Sequence, residues 1–141
     1  MAKIKGADRH TKRLRNMAKS SKQVVAALYS AGQDIEIDAE QSITEGSISG
    51  AGHVPSLPGQ PPNADTRHLD TNIETSVVAQ NPPTVHVTSH APYSAALEYG
   101  HRAPDGSWVE ERPFMRPATE RHRKDIGQKV ANAVRTTVRR G

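Results

Sequence analysis

Four of the five aromatic residues in this chain, Tyr93, Tyr99, Trp108 and Phe114, fall between Ser89 and Ala118. Elsewhere large apolar groups are scarce. Hydrophobic residues make up 34% of the sequence and aromatics 4%, both low for a self-sufficient globule, so the centre of any fold has to be built around this stretch. Its punctuation gives a local course. Pro92 sits where a first helical turn tolerates a missing N–H. Tyr93 and Leu97 share a helix face beside Ala96, and Gly100 is a natural stop. Asp105-Gly106 is a dipeptide favoured in tight hairpins, where both central residues take positive φ. Ser107, Trp108 and Val109 suit a return strand. Pro113 and Pro117 bracket Phe114, Met115 and Arg116. Pro117 suits the opening of a last helix, with Glu120 in its first turn complementing the dipole.

The flanking segments supply the other elements. From about His10 to Ile43, Leu14, Met17, Val24, Leu28, Ile35 and Ala39 recur at helical spacings. Gly32 costs about 1 kcal/mol against Ala inside a helix, so the segment is either one long helix or two consecutive ones. Residues 45–67 hold four prolines and four glycines with little periodicity. A connection this long without secondary structure is a mobile loop or a binding arm. Leu69, Ile73, Val77 and Val78 lead to the turn signal Asn81-Pro82-Pro83, and Thr84 to Thr88 form a second, β-branched run. These read as an antiparallel pair, with Ile73 and Val77 inward, joined by the Asp-Gly hairpin. Ile126, Val130, Val134 and Val138 stand at successive i+4 positions, a clean amphipathic helix of about five turns. The fold class is α+β: an N-terminal helical segment, a small antiparallel sheet with hairpin, a short helix and a long C-terminal helix, with the helices covering one face of the sheet. The length fits one domain spanning residues 1–141.

The net charge of +4 hides an asymmetry. Residues 1–33 carry eight Lys or Arg against Asp8, residues 116–141 another eight against Glu120 and Asp125, and residues 34–115 twelve acids against Arg67, Arg102 and Arg112. Such a basic–acidic–basic chain either sets opposite surfaces against one another in an assembly or simply solvates two basic helices. No apolar run is long enough to span a membrane, and the charged start MAKIKGADRH does not suit a secretory signal. There is no cysteine, hence no disulfide and no thiolate metal site.

Catalytic patterns are missing. His86 and His90 would lie roughly 13 Å apart along a strand, too far to chelate one ion. Gly46-Ser47-Ile48-Ser49-Gly50 places Ile48 where a nucleophile elbow needs serine, and no Gly-Lys-Ser/Thr follows to make a phosphate loop. Adjacent Glu110 and Glu111 point to opposite faces of a strand and cannot act as a pair. No catalytic residue, cofactor or metal is expected. Basic helices at both ends make a DNA-binding module the competing reading, although Tyr29 alone would offer stacking in the basic segments.

The ordered motifs resemble a known family. A Tyr-Ala…Glu-aromatic-Gly block followed by Pro-Phe-aliphatic-Arg-Pro-Ala is the pattern of the neck and tail-completion proteins of long-tailed bacteriophages. This chain supplies Tyr93, Ala95, Glu98, Tyr99 and Gly100, then Pro113, Phe114, Met115, Arg116, Pro117 and Ala118. Upstream, VPSLPGQPPNADTRHLDTNI resembles the family's Pro-Gly-x-Pro-Pro loop leading to a leucine and a strand start. Thr71-Asn72-Ile73 departs from the usual strand start, and Arg67 stands where the pattern commonly has glycine.

The resemblance implies a structural virion protein of the head–tail junction, assembled in the host cytoplasm. Its partners would be itself in a ring, with six copies preferred and twelve the alternative, and the connector or stopper and the tail-tube or terminator proteins. Double-stranded DNA would pass through the channel, and no membrane is involved. A tail terminator capping the tube is the alternative. Val54, Pro55, Pro58, Pro61 and Pro62 in the loop, with Asp105, Gly106 and Trp108 in the hairpin, are the candidate subunit contacts, since loops and strand edges offer unpaired backbone groups. Trp108 either anchors an interface or packs on its own helix. Tyr93, Tyr99, Leu97 and Phe114 are expected in the core. Arg121, Arg123 and Lys124 are the candidate DNA-facing residues.

Overall fold

The structure, a computed structural model, describes residues 6–45, 47–48 and 50–139, with side chains at all of these except 16–20. The Met17 side chain, Gly46, Ser49 and Arg140 lie outside that description. The elements are α1 (Ala7–Thr44), β1 (Ile73–Gln80), β2 (Pro83–Ser89), α2 (Ser94–Tyr99), β3 (His101–Arg102), β4 (Trp108–Val109) and α3 (Met115–Arg139). The chain is α+β, as its patterning predicts. Among the described residues no helix is long and apolar enough to cross a membrane.

Of the two alternatives for the N-terminal segment, one helix is found. α1 runs through Gly32 without a break, because tertiary packing needs a residue without a side chain there. A Cβ on Gly32 would stand 2.6 Å from Thr75 Cγ2 and 3.3 Å from Val87 Cγ2. The glycine is the point of closest approach between α1 and the sheet, which outweighs its poor helix propensity. Ile35, Ala39 and Ile43 of α1 are buried with Ala64, Leu69, Ile73, Ala91, Phe114 and Ala118, and this cluster is the core. Leu14, predicted on the same face, is exposed.

α1 lies between the other layers. Its Gly32 side meets β1 and β2, and Glu36 on that side accepts a hydrogen bond from the Thr75 hydroxyl. Residues two apart on a helix face nearly opposite ways, and there α3 packs antiparallel. Arg121 donates twice to Asp38, at 2.8 Å each, and Lys129 reaches Asp34 and Ser30 further back along α1. The expectation that both helices cover the sheet is thus corrected: α1 covers it, and α3 packs on α1. The α3 stripe is only partly used. Ile126 and Val130 are half-buried, whereas Val134 and Val138 are exposed.

β1 and β2 pair antiparallel, with Ile73 opposite Ser89 and Val77 opposite Val85. A bulge between Val77 and Ala79 breaks the register, and a bulge re-aims side chains. Ile73 and Thr75 are buried, but Val77 is exposed, against its predicted inward position. β3 and β4 form a separate two-stranded sheet rather than extending the first. The intervening α2 turns the chain away, and the second hairpin is tied to α2 and the long loop instead.

Candidate functional site

The two motif blocks meet in one junction. α2 ends at Gly100, whose φ of 74° is the left-handed region glycine tolerates. This stop leaves Glu98 in the last turn of α2, buried and facing the start of α3. Its Oε2 accepts from the Phe114 N–H (2.9 Å) and the Met115 N–H (3.1 Å), and Oε1 from the Arg116 N–H (2.8 Å). The first amides of a helix have no partner within it, and the dipole there favours an anion. Glu98 supplies that anion from another element. Arg116 closes the junction. Its Nε donates to Glu98 Oε1, its Nη2 donates to the Glu98 carbonyl oxygen and to Glu111 Oε2, and its guanidinium lies 5.0 Å from the Tyr99 ring centroid. Burial raises the Glu98 pKa, but the amides of Phe114, Arg116 and Met115 and the Arg116 side chain outweigh it, and the carboxyl is held below its ordinary value.

This junction corrects the expected helix start. α3 begins at Met115, two residues before Pro117, and its first turn has no acidic residue of its own. Glu120 lies beyond that turn, and Glu98 takes the role assigned to it. The tyrosines are corrected as well. Phe114 is core, with 1% exposure, but Tyr93 and Tyr99 are 43% and 62% exposed.

The hairpin differs from the predicted tight turn. Only Gly106 has positive φ, at 88°. Gly106 N–H donates to the Ala103 carbonyl oxygen, closing a turn with Pro104 and Asp105 at its centre, and Ala103 N–H donates to Ser107 O. A turn followed by a left-handed glycine is the three-residue hairpin arrangement. Asp105 braces it by accepting from the Ser107 hydroxyl and amide, which keep its carboxyl below the usual range. Trp108 packs on its own chain at the end of α2 and keeps part of its surface open. Its ring lies over Gly100, where an added Cβ would meet Cζ2 at 2.9 Å, and 57% of the residue remains exposed.

The Gly/Pro-rich loop is an arm held at both ends. Ala64 N–H donates to the Ile43 carbonyl oxygen, Gly59 N–H to Glu111 O, and Arg112 Nε to Ser56 O. Asn63 Nδ2 donates to Val54 O across the loop. These bonds seat the loop beside Glu111 and Arg112, the segment that follows β4. Val54, Pro55 and Pro58 are exposed there and Pro61 is half-buried. Pro62 is buried within its own subunit and leaves the contact set. Leu57, outside the expected contact set, is 67% exposed. An apolar residue inside a Ser-Leu-Pro-Gly turn was the available signal.

Between this loop and α2 lies a cavity of about 410 Å³, lined in part by His53, Ser56, Leu69, Tyr93, Leu97 and Arg112. His53 Nδ1 faces the Ile48 carbonyl oxygen and His68 Nδ1 faces Asn72. Neither histidine is paired with a carboxylate in the way a general base is oriented. Of the three candidate DNA-facing residues, Arg121 is spent on Asp38 and holds that carboxyl below its usual range. Arg123 stands 3.7 Å from Glu120 in an exposed pair, and Lys124 is exposed.

No family model, curated protein or solved structure matches the chain.

Proposed function

We propose that the chain is a structural protein of the head–tail junction of a tailed phage or prophage, acting by assembly rather than catalysis. Copies would form a ring around the DNA channel, six by preference, joining the connector above to the tail below. The observation that carries this reading is the Glu98 junction. The two sequence blocks that carry the resemblance, Tyr93–Gly100 and Pro113–Ala118, are the two halves of one structural unit, which gives a physical reason for their occurring together. A second observation supports it. Arg67 has a left-handed φ of 60° at the position where the family pattern commonly has glycine, and such a φ is what glycine accommodates most readily. Exposed Val54, Leu57 and Trp108 supply apolar area for contacts with neighbours.

The test is genetic and visual. A phage or prophage lacking this gene should accumulate DNA-filled heads and finished tails that are not joined, as seen by electron microscopy, and adding back the purified protein should join them. Normal virions without the gene product would contradict the proposal. Tails of uncontrolled length would point to a tail terminator.

A further inference from the structure

The sequence reads as basic, acidic, basic, yet the folded molecule has two ends rather than three zones. Antiparallel packing of α3 on α1 sets the C-terminal half of α3 beside the middle of α1 and leaves the first turns of α1 free. Beyond Lys129, which reaches back to Asp34 and Ser30, α3 continues toward the end that carries Lys22, bringing Arg135 and Arg139 with it. α1 has 38 residues and α3 has 25, so at 1.5 Å per residue about 20 Å of α1 extends past its partner. Residues 6–15 are exposed throughout. Among the described residues, none of Arg9, Lys12, Arg13, Arg15 and Lys22 forms an ion pair, and Asp8 is the one carboxylate on this half of α1.

Among the described residues, seven of the other fourteen carboxylates are held in ion pairs, the exposed Glu120–Arg123 pair included. Asp34 is held by Lys129, Asp38 by Arg121, Asp70 by Arg67, Glu74 by His90, and Glu98 and Glu111 by Arg116. The exposed carboxylates outside these pairs, Glu45, Asp65, Asp105, Glu110 and Asp125, sit on different segments of the chain, so a second copy offers single acids rather than a continuous row of them. A row of cations is matched better by a densely anionic partner than by such single acids. Lys12, Arg15 and Lys22 lie within about 80° of arc on one side of α1, along some 15 Å of its axis. A duplex presents one phosphate per about 1.7 Å of its own axis and can engage all three. Tyr29 is the one aromatic residue on α1, so stacking of single-stranded bases is not provided for.

We infer that the free end formed by the N-terminal half of α1, with Arg135 and Arg139 beside it, is the surface that meets the phosphates of double-stranded DNA. The inference deepens the head–tail reading, on which its biological meaning rests, and it moves the DNA contact away from Arg121, Arg123 and Lys124. The test is fluorescence anisotropy of the full chain with a mixed-sequence 30-base-pair duplex between about 50 and 200 mM salt. Each lost phosphate contact lowers the slope of log affinity against log salt by about 0.9. The triple variant Lys12→Gln, Arg15→Gln, Lys22→Gln keeps good helix formers. It should lower the slope by about 2 to 3 and weaken low-salt binding at least tenfold, with its circular dichroism spectrum unchanged. Arg123→Gln with Lys124→Gln should change the slope by less than about 0.9. The assignment is overturned if the triple variant binds like the parent, or if the double variant loses as much. It is also overturned if polyglutamate or a single strand of equal length binds as tightly as the duplex. Ring formation is read separately from native mass, so a chain that binds duplex through these residues but stays monomeric keeps this surface and loses the ring.

Discussion

Glu98 and Leu57 lie on segments joined by the same short stretch, Glu111–Arg112, and they have opposite relations to the rest of the chain. Every oxygen of the Glu98 carboxylate is occupied by a donor from its own subunit. The loop around Leu57 is held by backbone bonds through Ser56, Gly59 and Ala64, while its apolar side chains Val54 and Leu57 face outward. The junction spends its polar groups internally and stabilises the fold. The loop spends its backbone internally and leaves its side chains free. In a chain with 34% hydrophobic residues, these exposed side chains are the apolar area that the proposed assembly would use.

The largest expected difference comes from removing the junction's anion. Glu98→Ala strips three helix amides and Arg116 of their acceptor and should cost about 3 to 5 kcal/mol in urea unfolding. Equal costs for Glu98→Ala and Leu57→Ser would break the comparison. The two glycines give a finer version. At Gly100 a Cβ would meet Val109 O at 2.7 Å in addition to the strain of positive φ, whereas Gly59, with φ 81°, has open space around it. Gly100→Ala should cost about 2 to 4 kcal/mol and Gly59→Ala about 1.

Acid should separate the regions next. Glu98 and Asp38 are both held below their ordinary values. Their contribution is fully present above the unfolded carboxylate range of about 4 and is lost as pH falls through the lowered folded values. Urea midpoints should stay level from neutral pH to about 5 and then drop, and the drop should be shallower in Glu98→Gln. A midpoint falling as pH rises from 5 to 7 would contradict the assignment. The smallest effect on stability is expected from Leu57→Ser, within about 0.5 kcal/mol.

What the sequence made legible follows from how local each signal is. α1 and α3 were readable from the spacing of Ile35, Ala39, Ile126 and Val130, and the β1–β2 pair from its β-branched runs and Asn-Pro-Pro turn, because these patterns repeat along the chain. Gly32 looked like a possible break because its reason, the approach of Thr75, lies on another element. Glu98 was read as part of a motif and not as a helix cap, since capping signals are sought within a few residues of the helix start and this carboxylate comes from α2. Tyr93 and Tyr99 were assigned to the core by residue type, while the small residues Ala64, Ala91 and Ala118 fill much of it. The contact candidates in the loop were found from composition, which identifies exposed segments, but composition could not distinguish buried Pro62 from exposed Pro58. Which part of α1 Arg135 and Arg139 approach depends on helix packing direction, which the spacing along either helix does not encode.

The claim that the loop and the hairpin make assembly contacts is tested most directly by the native mass of the purified chain, measured by analytical ultracentrifugation for the parent and for Leu57→Ser with Trp108→Ala. The parent should sediment as a closed oligomer, by preference of about 92 kDa, six times the 15.3 kDa chain. The double variant should be folded and monomeric. A parent that remains a 15.3 kDa monomer at every concentration, or a double variant that assembles as fully as the parent, would contradict it.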